Sequence, residues 1–132
     1  MDIFKSIRDA LGITTLPDLA PVTLHDALNV QDNLEHAAVG QDITPYRMKT
    51  VLVYATMVGA PGNLNVWVEL AHQNVAASYV IVGVAQIFAA TGDVLMPFEV
   101  YAPWCRVVAQ IPAGAAGVAN YWTVSTFLVA HV

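Results

Sequence analysis

The stretch Thr50–His72, TVLVYATMVGAPGNLNVWVELAH, decides how the rest of the chain is read. Its second half alternates. Leu64, Val66, Val68 and Leu70 fall on one side, and Asn65, Trp67 and Glu69 on the other. A period of two belongs to a half-buried β-strand, because successive side chains point to opposite faces. Thr50–Val58 reads as a partner strand, and Gly59-Ala60-Pro61-Gly62-Asn63 joins the two. The spacing predicts a β-hairpin over Thr50–His72.

The same grammar continues downstream. Ser78–Ala89 is apolar on both faces, which predicts a central strand covered on both sides. Within it, Gly83 marks a bulge or a close backbone approach. Val94–Tyr101 contains Pro97, which cannot donate to a ladder, so it belongs at an edge or a bulge. In Trp104–Ile111, residues Cys105, Val107, Ala109 and Ile111 alternate with Arg106, Val108 and Gln110. Pro112–Asn120 is a loop of small residues. Tyr121–Val132 closes the chain as a strand with Trp122, Val124, Thr126, Leu128 and Ala130 on one face.

Upstream the pattern is less uniform. Leu24, Ala27, Leu28, Gln31 and Leu34 fit helical spacing. Two short strands, Val22–Leu28 and Glu35–Val39, turning at Gln31-Asp32-Asn33, fit better with the run of strands downstream. Tyr46 is placed to lie across the end of a sandwich. Met1–Leu11 reads as a short amphipathic helix with Ile3, Phe4, Ile7 and Leu11 on one face. It is too short to be stable without docking on something. Ile13–Pro21 reads as an extended linker. The expected architecture is an all-β antiparallel β-sandwich or jelly roll of about 7–8 strands. Residues 1–21 form a helical arm with its linker, and residues 22–132 form the sandwich.

Charge narrows the function. The 132 residues carry ten acids and five bases, a formal net charge of −5, and 57% of them are hydrophobic. A nucleic-acid surface needs a basic stripe to displace counterions from phosphates, and without one nucleic acid is set aside. Residues 51–132 contain only Glu69, Asp93, Glu99 and Arg106 as charged groups. A free monomer normally shows far more surface charge. The apolar runs alternate and are interrupted by polar residues, so no membrane helix is read. Coverage of the outside by other protein subunits accounts for the composition.

Motifs for chemistry are missing. His25 and His36, with Asp26, Asp32 and Glu35 nearby, lack metal-ligand spacing. The acids Asp26, Asp32, Glu35 and Asp42 form no calcium loop. No nucleophile elbow, P-loop or dinucleotide fingerprint occurs. Glu69 and Glu99 lie on different strands, with nothing to pair them as acid and base. Cys105, the single cysteine, reads as a small buried hydrophobe. The expectation is a chain with no catalytic residues, no cofactor and no metal.

The runs Leu24–Ala27, Val39–Tyr46, Thr50–Tyr54, Trp67–Leu70, Ala90–Gly92, Trp104–Val108 and Trp122–Ser125 are together similar to small β-sandwich proteins of tailed-bacteriophage virions. The similarity spans Val22–Val132, and domains of this kind occur as capsid decoration, or cement, proteins and in tail or fibre modules. It implies a homo-oligomer, a trimer being favoured, that clamps neighbouring subunits of a major capsid protein on the capsid surface of a virion. Contact residues expected on that reading are Ile3, Phe4 and Ile7 on the arm, with Trp67 and Trp104 on the sandwich. The strand pattern also resembles galactose-binding sandwiches. A carbohydrate- or receptor-binding module of the phage tail or fibre type is therefore the second expectation.

Overall fold

The computed structural model describes residues 19–131, which form nine strands. They are β1 (Leu19–Val30), β2 (His36–Ala37), β3 (Gln41–Asp42), β4 (Met48–Val58), β5 (Leu64–Ala71), β6 (Val80–Phe88), β7 (Gly92–Phe98), β8 (Trp104–Gln110) and β9 (Tyr121–His131). One sheet has the order β1-β9-β4-β7, the other β2-β8-β5-β6, with β3 also pairing on β8. Every pairing is antiparallel. Two such sheets, with most connections crossing from one to the other, make a jelly roll. The all-β sandwich read from the sequence is the observed class. The expected helix over Met1–Leu11 lies outside the described residues.

Three expectations are corrected. The first concerns Thr50–His72, which is not a hairpin. β4 pairs with β7 and β9, and β5 pairs with β6 and β8. The Gly59–Asn63 connection is an arch that carries the chain from one sheet to the other. Its backbone needs glycine: φ is 71° at Gly59 and 100° at Gly62, a region costly for residues with a Cβ. The arch is tied to the β8–β9 loop, with Asn120 Oδ1 accepting the Ala60 N–H at 2.9 Å. Alternation in both halves is real, but it says only that each half has a buried face. Here the two buried faces look at each other across the core.

The second correction concerns β6. It is the outer strand of its sheet, not a central one. Val80, Ile81, Val84 and Ile87 are exposed. The third concerns the linker. β1 begins at Leu19, inside the segment read as Ile13–Pro21, because Leu19 pairs with Ala130 of β9. The ambiguous segment after it resolves into strands, β1 and β2, and not a helix.

The core fills the space between the sheets. Val51, Val53 and Ala55 of β4 and Val124 and Leu128 of β9 face Leu64, Val66 and Val68 of β5 and Cys105, Val107 and Ala109 of β8. Burial pushes the Cys105 thiol up to about 12, so it stays protonated and behaves as a small hydrophobe. Trp122 is the largest fully buried side chain, and its indole N–H donates to the Gly62 carbonyl at 2.8 Å. Tyr46 is partly buried and packs against this core. Pro97 sits in β7, the outer strand of the first sheet, which is the edge position expected of it.

Candidate interaction surfaces

The outer face of the second sheet carries a polar cluster built on cross-strand register. Glu69 of β5 lies opposite Arg106 of β8. The Arg106 Nε–H donates to Glu69 Oε1 at 2.7 Å, and the Trp67 indole N–H donates to Glu69 Oε2 at 2.9 Å. The guanidinium lies 4.2 Å from the centre of the Tyr79 ring, a cation–π contact. Tyr79 donates its hydroxyl to Asn74 Oδ1 at 2.7 Å. This group packs on Gly40, where a Cβ would overlap both the tyrosine hydroxyl and the asparagine oxygen. Both oxygens of Glu69 are therefore engaged by donors. Glu99 follows β7 in sequence and lines a hollow with Lys49 and Tyr101, so the two glutamates are not assembled as an acid/base pair.

The expected contact residues fare differently. Trp67 is on the outer face, as alternation requires, but it is only 8% exposed. It faces Val108, which has no exposed surface. Its indole is a packing group here, with little of its surface left free. Trp104 is half-buried, opposite Ala71. Ile3, Phe4 and Ile7 lie outside the described residues.

The first sheet presents a different surface. On its outer face Leu52, Tyr54, Leu95 and Phe127 share neighbouring register positions. Tyr54 meets Phe127 edge-on, with ring centres 5.9 Å apart. A shallow hollow of about 490 Å³ lies here, lined by Leu52, Tyr54, Asp93 and Leu95 with their neighbours. Leu95 is 64% exposed. Sequence reading misses this patch because it looks for tryptophan platforms. The available signal is alternation with apolar residues on both faces of β4 and β7.

A second hollow, of about 400 Å³, lies at one end of this sheet between Thr44, Tyr46, Arg47, Lys49, Glu99 and Tyr101. Lys49 is almost fully buried, and its ammonium donates to the carbonyls of Val100 at 3.0 Å and Tyr46 at 3.4 Å. Burial lowers its pKa, and Glu99 opposes that effect in part.

The two histidines considered as ligands do approach each other. His25 is buried in β1 and clamps the two sheets together. Thr126 of β9 accepts the His25 backbone N–H through Oγ1 at 3.1 Å, and its hydroxyl donates to Nδ1 at 2.7 Å. Nε2 then carries the proton and donates to the His36 carbonyl at 3.0 Å. His36 in turn reaches Asp32 at 2.8 Å. Among the described residues no group of three or more His, Cys, Asp or Glu side chains is placed to hold a metal ion.

Burial holds the His25 imidazole below its usual pKa. The bond to the His36 carbonyl works against this, and the nearby His36 ring adds to it. The unfolded chain therefore takes up this proton first as pH falls. The contribution of His25 is complete above about pH 6.5 and is lost as the pH drops through the lowered folded value. Urea denaturation is expected to show the wild type losing more stability between about pH 7.5 and about pH 5 than His25→Gln does. Equal losses in the two proteins would place the titration elsewhere.

No protein-family model matches the sequence. No curated protein matches it either. Among solved structures, the chain is similar to a chain in the structure of infectious bursal disease virus, Gx strain. The TM-score is 0.51 at 17% sequence identity. The similarity covers 84% of this chain and 31% of the viral one, so this chain spans about a third of the length of that relative. At that identity the likeness is one of fold: both chains contain a β-sandwich of this kind.

Proposed function

We propose that this protein is a virion structural protein of the capsid decoration, or cement, type. Copies of it self-associate and bridge neighbouring subunits of a major capsid protein on the outside of the shell. The observation that carries the reading is the exterior of the jelly roll. Leu95, Val84, Val80 and Tyr101 are exposed while the second half of the chain holds few charges. Such a surface fits a subunit that works in contact with other subunits. The shared fold with a chain of a virus supports the same reading. Attachment would be multivalent, several modest contacts summing to a tight hold. The N-terminal residues Ile3, Phe4 and Ile7 are the proposed capsid contacts. The chemistry is one of binding, without catalysis or cofactor. A carbohydrate-binding role gains little, since Trp67 is covered and Trp104 is half-buried, which leaves no open tryptophan platform.

The test is co-sedimentation with shells assembled from the major capsid protein encoded in the same genome. The wild type is expected to pellet with the shells. Phe4→Asp combined with Ile7→Asp is expected to bind at least about tenfold more weakly, because each lost contact is multiplied over the copies. A wild-type chain that stays in the supernatant at every ratio overturns the reading.

A further inference from the structure

The two sheets have four edges, and the chain treats one of them unlike the rest. β1 is broken by register shifts at three places against β9, and Ala27 there adopts φ 46°. β2 is two residues long, and β3 is a separate two-residue piece on the same neighbour. β7 contains Pro97 and the charged Asp93. β6 runs for nine residues, VIVGVAQIF, with neither a charge nor a proline. Its side chains are open to solvent: Val80 is 67% exposed, Val84 86% and Ile87 56%. An edge strand presents unpaired N–H and C=O groups, and proteins ordinarily blunt such edges with short length, charge, proline or bulges. Three edges here are blunted in those ways. On β6 the single device is a bulge at Gly83, φ 69°, opposite the register shift between Val66 and Val68.

We propose that β6 is the docking strand for a second copy of this chain. The two β6 strands pair antiparallel about a twofold axis and join the second sheets of both copies. Identical strands meeting this way make a self-complementary contact, and backbone groups of each edge find their partners in the other. Charge argues for the same seam. Each copy carries a net charge of −5, so two copies repel except where the surface is uncharged. β6 is such a place. Beside it the sandwich opens into a hollow of about 250 Å³ lined by Val82, Val84, Gln86, Leu95, Met96 and Phe98. Side chains of the facing copy can fill that hollow. Taking roughly 150–200 Å² for a fully exposed side chain of this size, Val80, Ile81, Val84, Ile87 and Leu95 offer about 500 Å² of apolar surface. With the strand backbones this approaches the ~800 Å² per partner of a standard interface. The proposal deepens the self-association invoked above and rests on that part of it, while its test involves no capsid, so either can fail alone.

Light scattering coupled to size exclusion, over a concentration series, decides it. The wild type is expected to form dimers. Val84→Lys should be monomeric with an unchanged circular dichroism spectrum, because this side chain already faces solvent. Val118→Lys, at an equally exposed position in the β8–β9 loop, should remain dimeric. A monomeric wild type overturns the proposal, and so does a trimer, the state the resemblance favours, which a twofold strand contact cannot make. Val84→Lys dimers as tight as wild type also overturn it, including the case where deleting residues 1–18 dissociates them instead. Dissociation by both lysine substitutions overturns it too, since that reflects added charge and not the strand.

Discussion

Trp122→Ala is expected to remove a fifth or more of the protein's stability. The indole is fully buried, and it packs against Phe88 with ring centres 6.3 Å apart. Truncating a buried tryptophan to alanine costs about 3–5 kcal/mol, part of it for the cavity left behind. A domain of this size has a total of about 5–15 kcal/mol to lose. The substitution also strands the Gly62 carbonyl, which accepts the indole N–H. That carbonyl sits in the arch between β4 and β5, so the loss loosens the joint between the two sheets as well as the core. In urea the midpoint is expected to fall by about 2 M, taking a slope of roughly 2 kcal/mol per M. Trp122→Phe keeps most of the volume and loses the hydrogen bond, and should cost about 1–2 kcal/mol. A midpoint for Trp122→Ala close to wild type would mean that the arch and core do not depend on this side chain.

The strands are legible in the sequence because alternation reports burial directly. Trp122, Val124, Thr126, Leu128 and Ala130 share one face by their spacing, and all five are buried in β9. Cys105, Val107 and Ala109 behave the same way in β8. Pro97 announces an edge because its missing donor is a local property. What alternation cannot report is which strand lies beside which. Thr50–Val58 and Leu64–His72 are adjacent in sequence, and a five-residue link permits both a hairpin and an arch. The choice is made by distant partners: β4 pairs with β9, about seventy residues away at the chain's end. Likewise, a strand apolar on both faces is either covered twice within its own fold or uncovered at an edge. Val80–Phe88 has the composition of the first and the position of the second. The candidate site is less legible than the fold. The sequence singles out Trp67 by residue type, whereas the apolar side chains that are exposed, Val84 and Leu95 among them, are of kinds that usually signal a core.

Trp67→Asp is expected to yield a chain that does not fold stably. Outer-face position alone would predict the reverse, a folded subunit that merely loses a contact. Coverage decides the matter. Trp67 is 8% exposed, beside a fully buried Val108, so removing the ring costs about 3–5 kcal/mol by itself. The aspartate then sits two residues from Glu69 on the same face, where the indole N–H had donated to that carboxylate. Arg106 is left to balance two acids in a mostly buried site. An unpaired carboxylate there costs a further ~1–3 kcal/mol. Together these approach the whole stability of a small domain. Trp67→Phe isolates the lost hydrogen bond and should stay folded with a cost of about 1–2 kcal/mol. Glu69→Leu with Arg106→Met should cost less than Arg106→Met alone, because the double change leaves no buried charge without its partner. Near-ultraviolet circular dichroism and a urea titration read all four. A folded Trp67→Asp with native spectra would show that the cluster opens easily and that Trp67 is available to a partner. If it unfolds as expected, Trp67→Asp cannot distinguish lost assembly from lost folding, whereas a charge at Val84, 86% exposed, can.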